Sequence, residues 1–190
     1  MNRFSILVVC TGNIARSPMG QRLLQAHLAS ASAFVVSSAG TWGLEGSPME
    51  RHAAQALAEV GVDEGGFVAR ELTAPLVRES DLILAATREH RAAVLTHDPS
   101  ALRRVFTIRE LARLVDVTAV ATVAGETPAE HAARVVRAAA GARGSVRATP
   151  LEDDVADPYR ASLAVYRERR DEILGATTVI AAALLGPGPA

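Results

Sequence analysis

The sequence predicts an α/β fold, a central four-stranded parallel sheet flanked by helices on both faces, and three observations carry that prediction. Short β-branched apolar runs alternate along the chain with longer segments of helical period. The runs are apolar without a polar alternation, the pattern of strands covered on both sides. The first of them ends on the only cysteine of the chain, with a glycine close behind and an arginine six positions later. Strand–helix alternation of this kind implies right-handed crossovers, and such sheets place their sites beyond the carboxyl ends of the strands.

Each element has its own signal. Phe4–Cys10 is the first strand, a continuous β-branched run. Pro18 to Ala31 carries Met19, Leu23, Leu24, Ala26, His27 and Leu28 at roughly helical spacing, with Ser17 suited to the N-cap and Pro18 to the first helical position. Phe34-Val35-Val36 is a second short strand, and Pro48 to Val60 fits a helix closed by Gly61. Leu82–Ala85 is the third strand, Arg88 to Leu95 a helix, and Arg104-Val105-Phe106 the fourth strand. Pro128 to Ala140 reads as a helix with Thr127 as N-cap, ended by Gly141-Ala142-Arg143-Gly144. The last helix is expected from near Tyr159, with Leu163, Tyr166, Ile173, Leu174, Thr177, Ile180, Ala181 and Leu184 as its apolar stripe. The expected organisation is a single domain over 1–186, followed by a breaker-rich, disordered tail at 187–190.

Bulk properties exclude several classes. The 190 residues suffice for one core, and 49% are apolar with only 4% aromatic, which suits helices packed closely on a small sheet. A net charge of −1 offers no footprint for nucleic acid or a membrane surface. All twenty positive charges are arginine, which we read as coding bias. One cysteine excludes an internal disulfide and a multi-thiolate metal site. The five histidines suggest no ligand set: His27 reads as a packed core histidine, and His90 and His97 lie on one helix without a third partner. No metal and no cofactor are expected. Arg3 followed by Phe4–Cys10 imitates a secretory segment, but its apolar run of about six residues falls short of the roughly 7–15 of an h-region, and no small-residue cleavage site follows. The expectation is a cytoplasmic protein.

The chemistry concentrates in Val9-Cys10-Thr11-Gly12-Asn13-Ile14-Ala15-Arg16-Ser17-Pro18. A thiol at a strand end, a loop whose N–H groups can curl inward, an arginine and a helix N-terminus together describe a cradle for a tetrahedral oxyanion. Gly12 is expected to supply a positive φ at the tightest point. Cys10 is the expected nucleophile, and Arg16 is expected to grip two phosphate oxygens as a bidentate fork. An arginine in the first turn of a helix opposes the helix dipole, which itself favours an anionic partner. The loop after the first strand therefore reads as a phosphate-binding loop.

Cys-x5-Arg-Ser-Pro in the first twenty residues, with Gly-Asn inside it, resembles the low-molecular-weight protein tyrosine phosphatase family. Ser38-Ala39-Gly40-Thr41, Ala69-Arg70-Glu71-Leu72-Thr73 and Asp157-Pro158-Tyr159 extend the resemblance, which weakens between about Val115 and Asp154. That stretch, an atypical insert over 115–154, either shapes the substrate mouth or forms a surface helix with a loose loop. The resemblance implies an enzyme hydrolysing phosphotyrosine or another aryl phosphate through a phosphocysteine, with a tyrosine kinase among the candidate substrates. Asp157 is then the general acid, preferred over Glu152, Asp153 and Asp154 by its Pro-aromatic context. An acid that must be protonated in the complex implies activity on the acidic side of neutrality.

Thr11, Gly12, Asn13, Ile14, Ala15 and Ser17 are expected around the phosphoryl group, with Tyr159 as one aromatic wall. Trp42 is either the opposite wall or a core residue. Asn13 braces the loop with Ser38 in support, while Phe67 stands where the family has a second, histidine buttress. Ala15 replaces the second cysteine of many members. Ile14 is the residue of tyrosine-directed members, whereas those acting on phosphoarginine carry threonine there. Two other readings remain: arsenate reduction on the same scaffold with an external thiol or redox partner, and a non-catalytic phosphate-binding module.

Overall fold

A computed structural model describes residues 3–145 and 148–186. The tail at 187–190, and Arg147, lie outside the described residues. Four strands, β1 (Phe4–Cys10), β2 (Phe34–Gly40), β3 (Leu82–Ala85) and β4 (Val105–Thr107), form one sheet in the order β2-β1-β3-β4. All three pairings are parallel. The chain runs from β1 outward to β2 on one side and from β3 outward to β4 on the other, so the crevice beside the end of β1 is where the strand order reverses. Cys10, paired with Gly40, is the last residue of that strand.

The period of two along β1 divides the core. Phe4, Ile6 and Val8 pack on one face with Phe106 and with the helices α5 (Ile108–Val117), α6 (Pro128–Gly141) and α8 (Leu163–Leu185). Leu7 and Val9 face the other way, against Val77 of α3 (Ala74–Arg78) and Val94 of α4 (Arg88–His97). A third cluster joins α1 (Arg16–His27) and α2 (Arg51–Ala58) to Tyr166 and Ile173 of α8. Phe106 is wholly buried; truncating such a ring costs about 3–5 kcal/mol. Among the described residues no helix is long and apolar enough to cross a membrane.

Several boundaries differ from the sequence reading. Strand β2 continues through Ser37–Gly40 because β1 pairs with it along its whole length, which overrides the low strand propensity of small residues. Helix α1 opens at Arg16 rather than Pro18, with Ala15 in the cap position, and it ends at His27 rather than Ala31. Ser17 is therefore inside the first turn and is not a cap; the first bond of the turn runs from Met19 N to Ala15 O at 3.1 Å. Helix α8 starts at Leu163, not at Tyr159, because Arg160 takes φ 64° and Ala161 N closes a turn on Pro158 O. His27 is only half-buried, on Thr178, and is not a core residue.

Helices α3, α5 and α7 (Pro150–Asp153) add to the predicted elements. Thr107 and Glu110 form a full capping box at the start of α5. Helix α6 has the predicted N-cap, Thr127, again in a capping box with Glu130. It is no surface helix: Ala132, Val135 and Ala139 are buried in the core cluster beneath the sheet.

Candidate active site

The loop from Thr11 to Ala15 is shaped by what its carbonyls bond. Those of Cys10, Thr11, Gly12 and Ile14 accept from the N–H groups of Thr41, Trp42, Leu44 and Glu50, at 2.8–3.0 Å. In a trans peptide the N–H points opposite the carbonyl, so the N–H groups of Thr11, Gly12, Asn13 and Ala15 turn inward. The close approach of the two segments demands glycine at Gly40, where a Cβ would fall on the Thr11 carbonyl and within 2.9 Å of Asn13 N.

The left-handed residue of the loop is Asn13, with φ 54°, and not Gly12. Asparagine tolerates that conformation when its side chain bonds locally, and here every polar atom of the buried amide is used. Asn13 Nδ2 donates to Ser17 Oγ and to Ser38 Oγ, both at 2.8 Å, and Oδ1 accepts from Arg70 N at 3.0 Å. Ser38 Oγ donates in turn to Gln21 at 2.6 Å, and Arg70 Nε holds the Ser38 carbonyl at 2.7 Å. Phe67 packs in the α1–α2–α8 cluster; the peptide N–H of Arg70 braces Asn13 instead. Because Asn13 fills one lone pair of Ser17 Oγ, the hydroxyl proton is free for Cys10 Sγ, 2.9 Å away.

Arg16 is 4% exposed. Its Nη1 donates to the Val155 carbonyl at 3.1 Å, and its Nη2 reaches Thr11 Oγ1 at 3.3 Å and Asp157 Oδ2 at 3.0 Å. Its Nε is buried with no hydrogen-bond partner among the described residues. A buried N–H of a charged group left unpaired is costly, and α1 has no acidic residue in its first turn. The inward N–H groups of the loop and the N-terminus of α1 lie next to each other in the chain, beside this guanidinium.

Asp157 stands across the opening, half-exposed, with Oδ1 accepting from Tyr159 N at 3.2 Å. Its acidic neighbours serve structure instead: Asp153 is buried between Arg88 and Arg113, Asp154 accepts from Arg88 N, and Glu152 caps Thr149. Asp157 and the loop residues Cys10, Thr11, Gly12, Ala15 and Arg16 line a cavity of about 290 Å³. Ile14, Trp42, Leu44 and Tyr159 give it apolar sides. Trp42 is 79% exposed, so it is a wall residue and not part of the core. Larger clefts of about 480 and 630 Å³ lie elsewhere, lined mainly by paired charged side chains and without a nucleophile.

Two contributors carry no sequence signal of their own. Leu44 joins the wall, and His90, 7% exposed, bonds Thr11 Oγ1 through Nε2 at 2.9 Å. Burial, reinforced by the Arg16 charge and only partly offset by Asp157, pushes the His90 imidazole down to about 4.

A thiol, a buried arginine and a carboxylate thus line one cavity at the end of β1. The chain belongs to the low molecular weight phosphotyrosine protein phosphatase family, whose profile matches residues 5–120. It is 48% identical over 95 residues to the low molecular weight protein-tyrosine-phosphatase Etp of Escherichia coli K12, a match covering 50% of this chain and 62% of Etp. A protein-arginine-phosphatase of Geobacillus stearothermophilus is 28% identical over 170 residues, covering 90% of this chain and 88% of that protein. Among solved structures, Vibrio vulnificus Wzb in complex with benzylphosphonate superposes with a TM-score of 0.69 at 26% identity, covering 95% of this chain and 98% of Wzb.

Proposed function

We propose that the protein hydrolyses aryl phosphate monoesters, phosphotyrosine in proteins among them, in two steps through a phosphocysteine. Cys10 Sγ attacks phosphorus as the thiolate while the aryl–oxygen bond breaks, and the departing oxygen takes a proton from Asp157. Water then attacks the phosphocysteine, gives its proton to the Asp157 carboxylate, and releases inorganic phosphate and the thiolate. The loop N–H groups and the Arg16 guanidinium hold the three equatorial oxygens throughout, where charge is spread in the transition state. Ser17 Oγ–H steadies the sulfur before attack and as it leaves.

The observation that carries the reading is the placement of Arg16. Arg16 lines the cavity beside Cys10 and its Nη2 bonds Asp157 at 3.0 Å, which supports one tetrahedral anion meeting all three groups. The apolar walls suit a flat ring, and Ile14 offers methyl groups to it. A benzylphosphonate complex of the related Wzb supports an aryl-type ligand. Similarity to an arginine phosphatase extends over more of the chain than similarity to Etp, but Ile14 in place of threonine favours the aromatic substrate. Arsenate reduction is not favoured: the family is one of phosphatases, and the chain has one cysteine.

The same reading takes 1–186 as one catalytic unit, since α6 completes the core on which β1 rests and Val155 touches Arg16. It places the protein in the cytoplasm, with phosphotyrosine proteins, a tyrosine kinase included, as its partners. The test is hydrolysis of an aryl phosphate by wild type, Cys10→Ser and Asp157→Ala, beside thiol-coupled arsenate turnover. Wild-type hydrolysis that vanishes in Cys10→Ser, with no arsenate turnover, is the expected result. Undiminished hydrolysis by Cys10→Ser sinks the proposal.

A further inference from the structure

We propose that His90 is a positioning residue that fixes the proton of the Thr11 hydroxyl, so that Thr11 donates a hydrogen bond to the bound oxyanion. The inference deepens the reading of the Cys10 loop as an oxyanion site and rests on it.

The argument is an account of donors and acceptors. Thr11 Oγ1 has two lone pairs and one proton. Arg16 can only donate, and its Nη2 occupies one lone pair at 3.3 Å. His90 Nε2, at 2.9 Å, takes either the second lone pair or the proton, depending on the tautomer. The choice is made on the far side of the ring. Thr87 caps α4, and its Oγ1 accepts from His90 N at 3.3 Å. The same hydroxyl lies 2.7 Å from His90 Nδ1, its only acceptor among the described residues. Thr87 therefore donates to Nδ1, and the ring proton sits on Nε2. Were it on Nδ1, the Thr87 proton would have no acceptor among the described residues, and the Thr11 proton would be spent on the imidazole.

With Nε2–H donating, both lone pairs of Thr11 are filled and its O–H is left over. Thr11 is solvent-facing and lines the cavity beside Cys10 and Arg16, so that O–H has the cavity to donate into. The chain Thr87 → His90 → Thr11 converts a helix cap into one more oxyanion donor. A neutral imidazole suits this task beside the Arg16 charge, since a second cation there would be repelled.

Substitutions separate this role from simple packing. Inorganic phosphate affinity is measured by calorimetry, with kcat/KM on an aryl phosphate as companion readout. The variants are Thr11→Val, His90→Ala, the double variant, His90→Gln and His90→Asn. Glutamine reaches as far as Nε2 and keeps the bond to Thr11; asparagine reaches only as far as Nδ1 and keeps the bond to Thr87. We expect Thr11→Val and His90→Ala each to weaken phosphate binding about tenfold, the effect of one charge-assisted hydrogen bond. The double variant should be no worse than either, with His90→Gln near wild type and His90→Asn like His90→Ala. Should His90→Ala not fold, the Gln–Asn comparison decides alone. Multiplying losses in the double variant, rescue by Asn but not by Gln, or no phosphate binding by wild type overturns the proposal. A wild type that binds phosphate but hydrolyses no aryl phosphate refutes the hydrolase reading, while the affinities still decide the role of His90.

Discussion

Arg16 and Asp157, from opposite ends of the chain, meet in an ion pair of 3.0 Å across the mouth of the Cys10 cavity. The arginine is buried and the aspartate half-exposed. The guanidinium proposed to grip an oxyanion is thus already engaged by the carboxylate proposed to protonate the leaving group. A dianion entering the cavity competes with Asp157 for the same Nη2.

Two consequences of that competition are measurable. In Asp157→Asn, kcat for phenyl phosphate should fall by about 10²–10⁴-fold, the usual worth of general acid catalysis. The loss should shrink for leaving groups that depart without a proton, such as p-nitrophenolate. At the same time inorganic phosphate should bind more tightly, because Arg16 has lost its rival. Weaker phosphate binding in Asp157→Asn would contradict the competition.

Asn13 combines a φ of 54° with three hydrogen bonds in a fully buried site. Asn13→Ala should destabilise the protein by about 4–5 kcal/mol, roughly 1 kcal/mol per bond and a further 1–2 for left-handed strain. Asn13→Gly removes the bonds but not the conformation, and should recover that strain component. Urea unfolding of the two variants checks the order; an alanine variant as stable as the glycine one would mean that the backbone relaxes.

His90 sets a pH dependence of stability. Its imidazole is held at about 4 in the folded protein, below the ordinary 6.5. Between those values the unfolded chain binds a proton that the folded chain does not. Stability is therefore full above about pH 6.5, falls as pH drops towards 4, and levels off below it. The loss from this group is at most on the order of 3 kcal/mol. His90→Gln should flatten that limb in denaturation series from pH 7 to pH 4.

Trp42, 79% exposed, contributes area to a ligand rather than to the core. Trp42→Ala should leave the unfolding midpoint nearly unchanged, within about 0.5 kcal/mol, as for other surface changes. It should raise KM for aryl phosphates about tenfold, on the order of the 1.5 kcal/mol of an aromatic contact, and leave small alkyl phosphates unaffected. Equal effects on both substrate types would argue for a loop defect instead.

Much of the site is legible in sequence because it is local. Cys10, Arg16 and Ser17 come together through one strand end, one tight loop and one helix start, and their spacing alone puts sulfur and guanidinium around one anion. The apolar runs of β1 and β3 mark their bounds for the same reason: burial on both faces leaves no room for polar residues. Small residues carry no such mark, so the extension of β2 through Ser37–Gly40 depends on a neighbour. The Thr107–Glu110 capping box, with Ile108, Leu111 and Leu114 on the buried face, is a helix start that the sequence does carry.

Sequence by itself therefore determined the fold class and singled out a candidate nucleophile, an arginine and a carboxylate from near the end of the chain. Tertiary structure decided what surrounds the loop that follows β1. That Arg70 rather than a histidine braces Asn13, that His90 touches Thr11, and that Arg16 rests on the Val155 carbonyl all depend on segments far apart in the chain. Strand order and helix placement bring those segments together. The pairing chemistry of an amide, an imidazole or a carbonyl is satisfied by many partners, and only the packing of the sheet against its helices selects one.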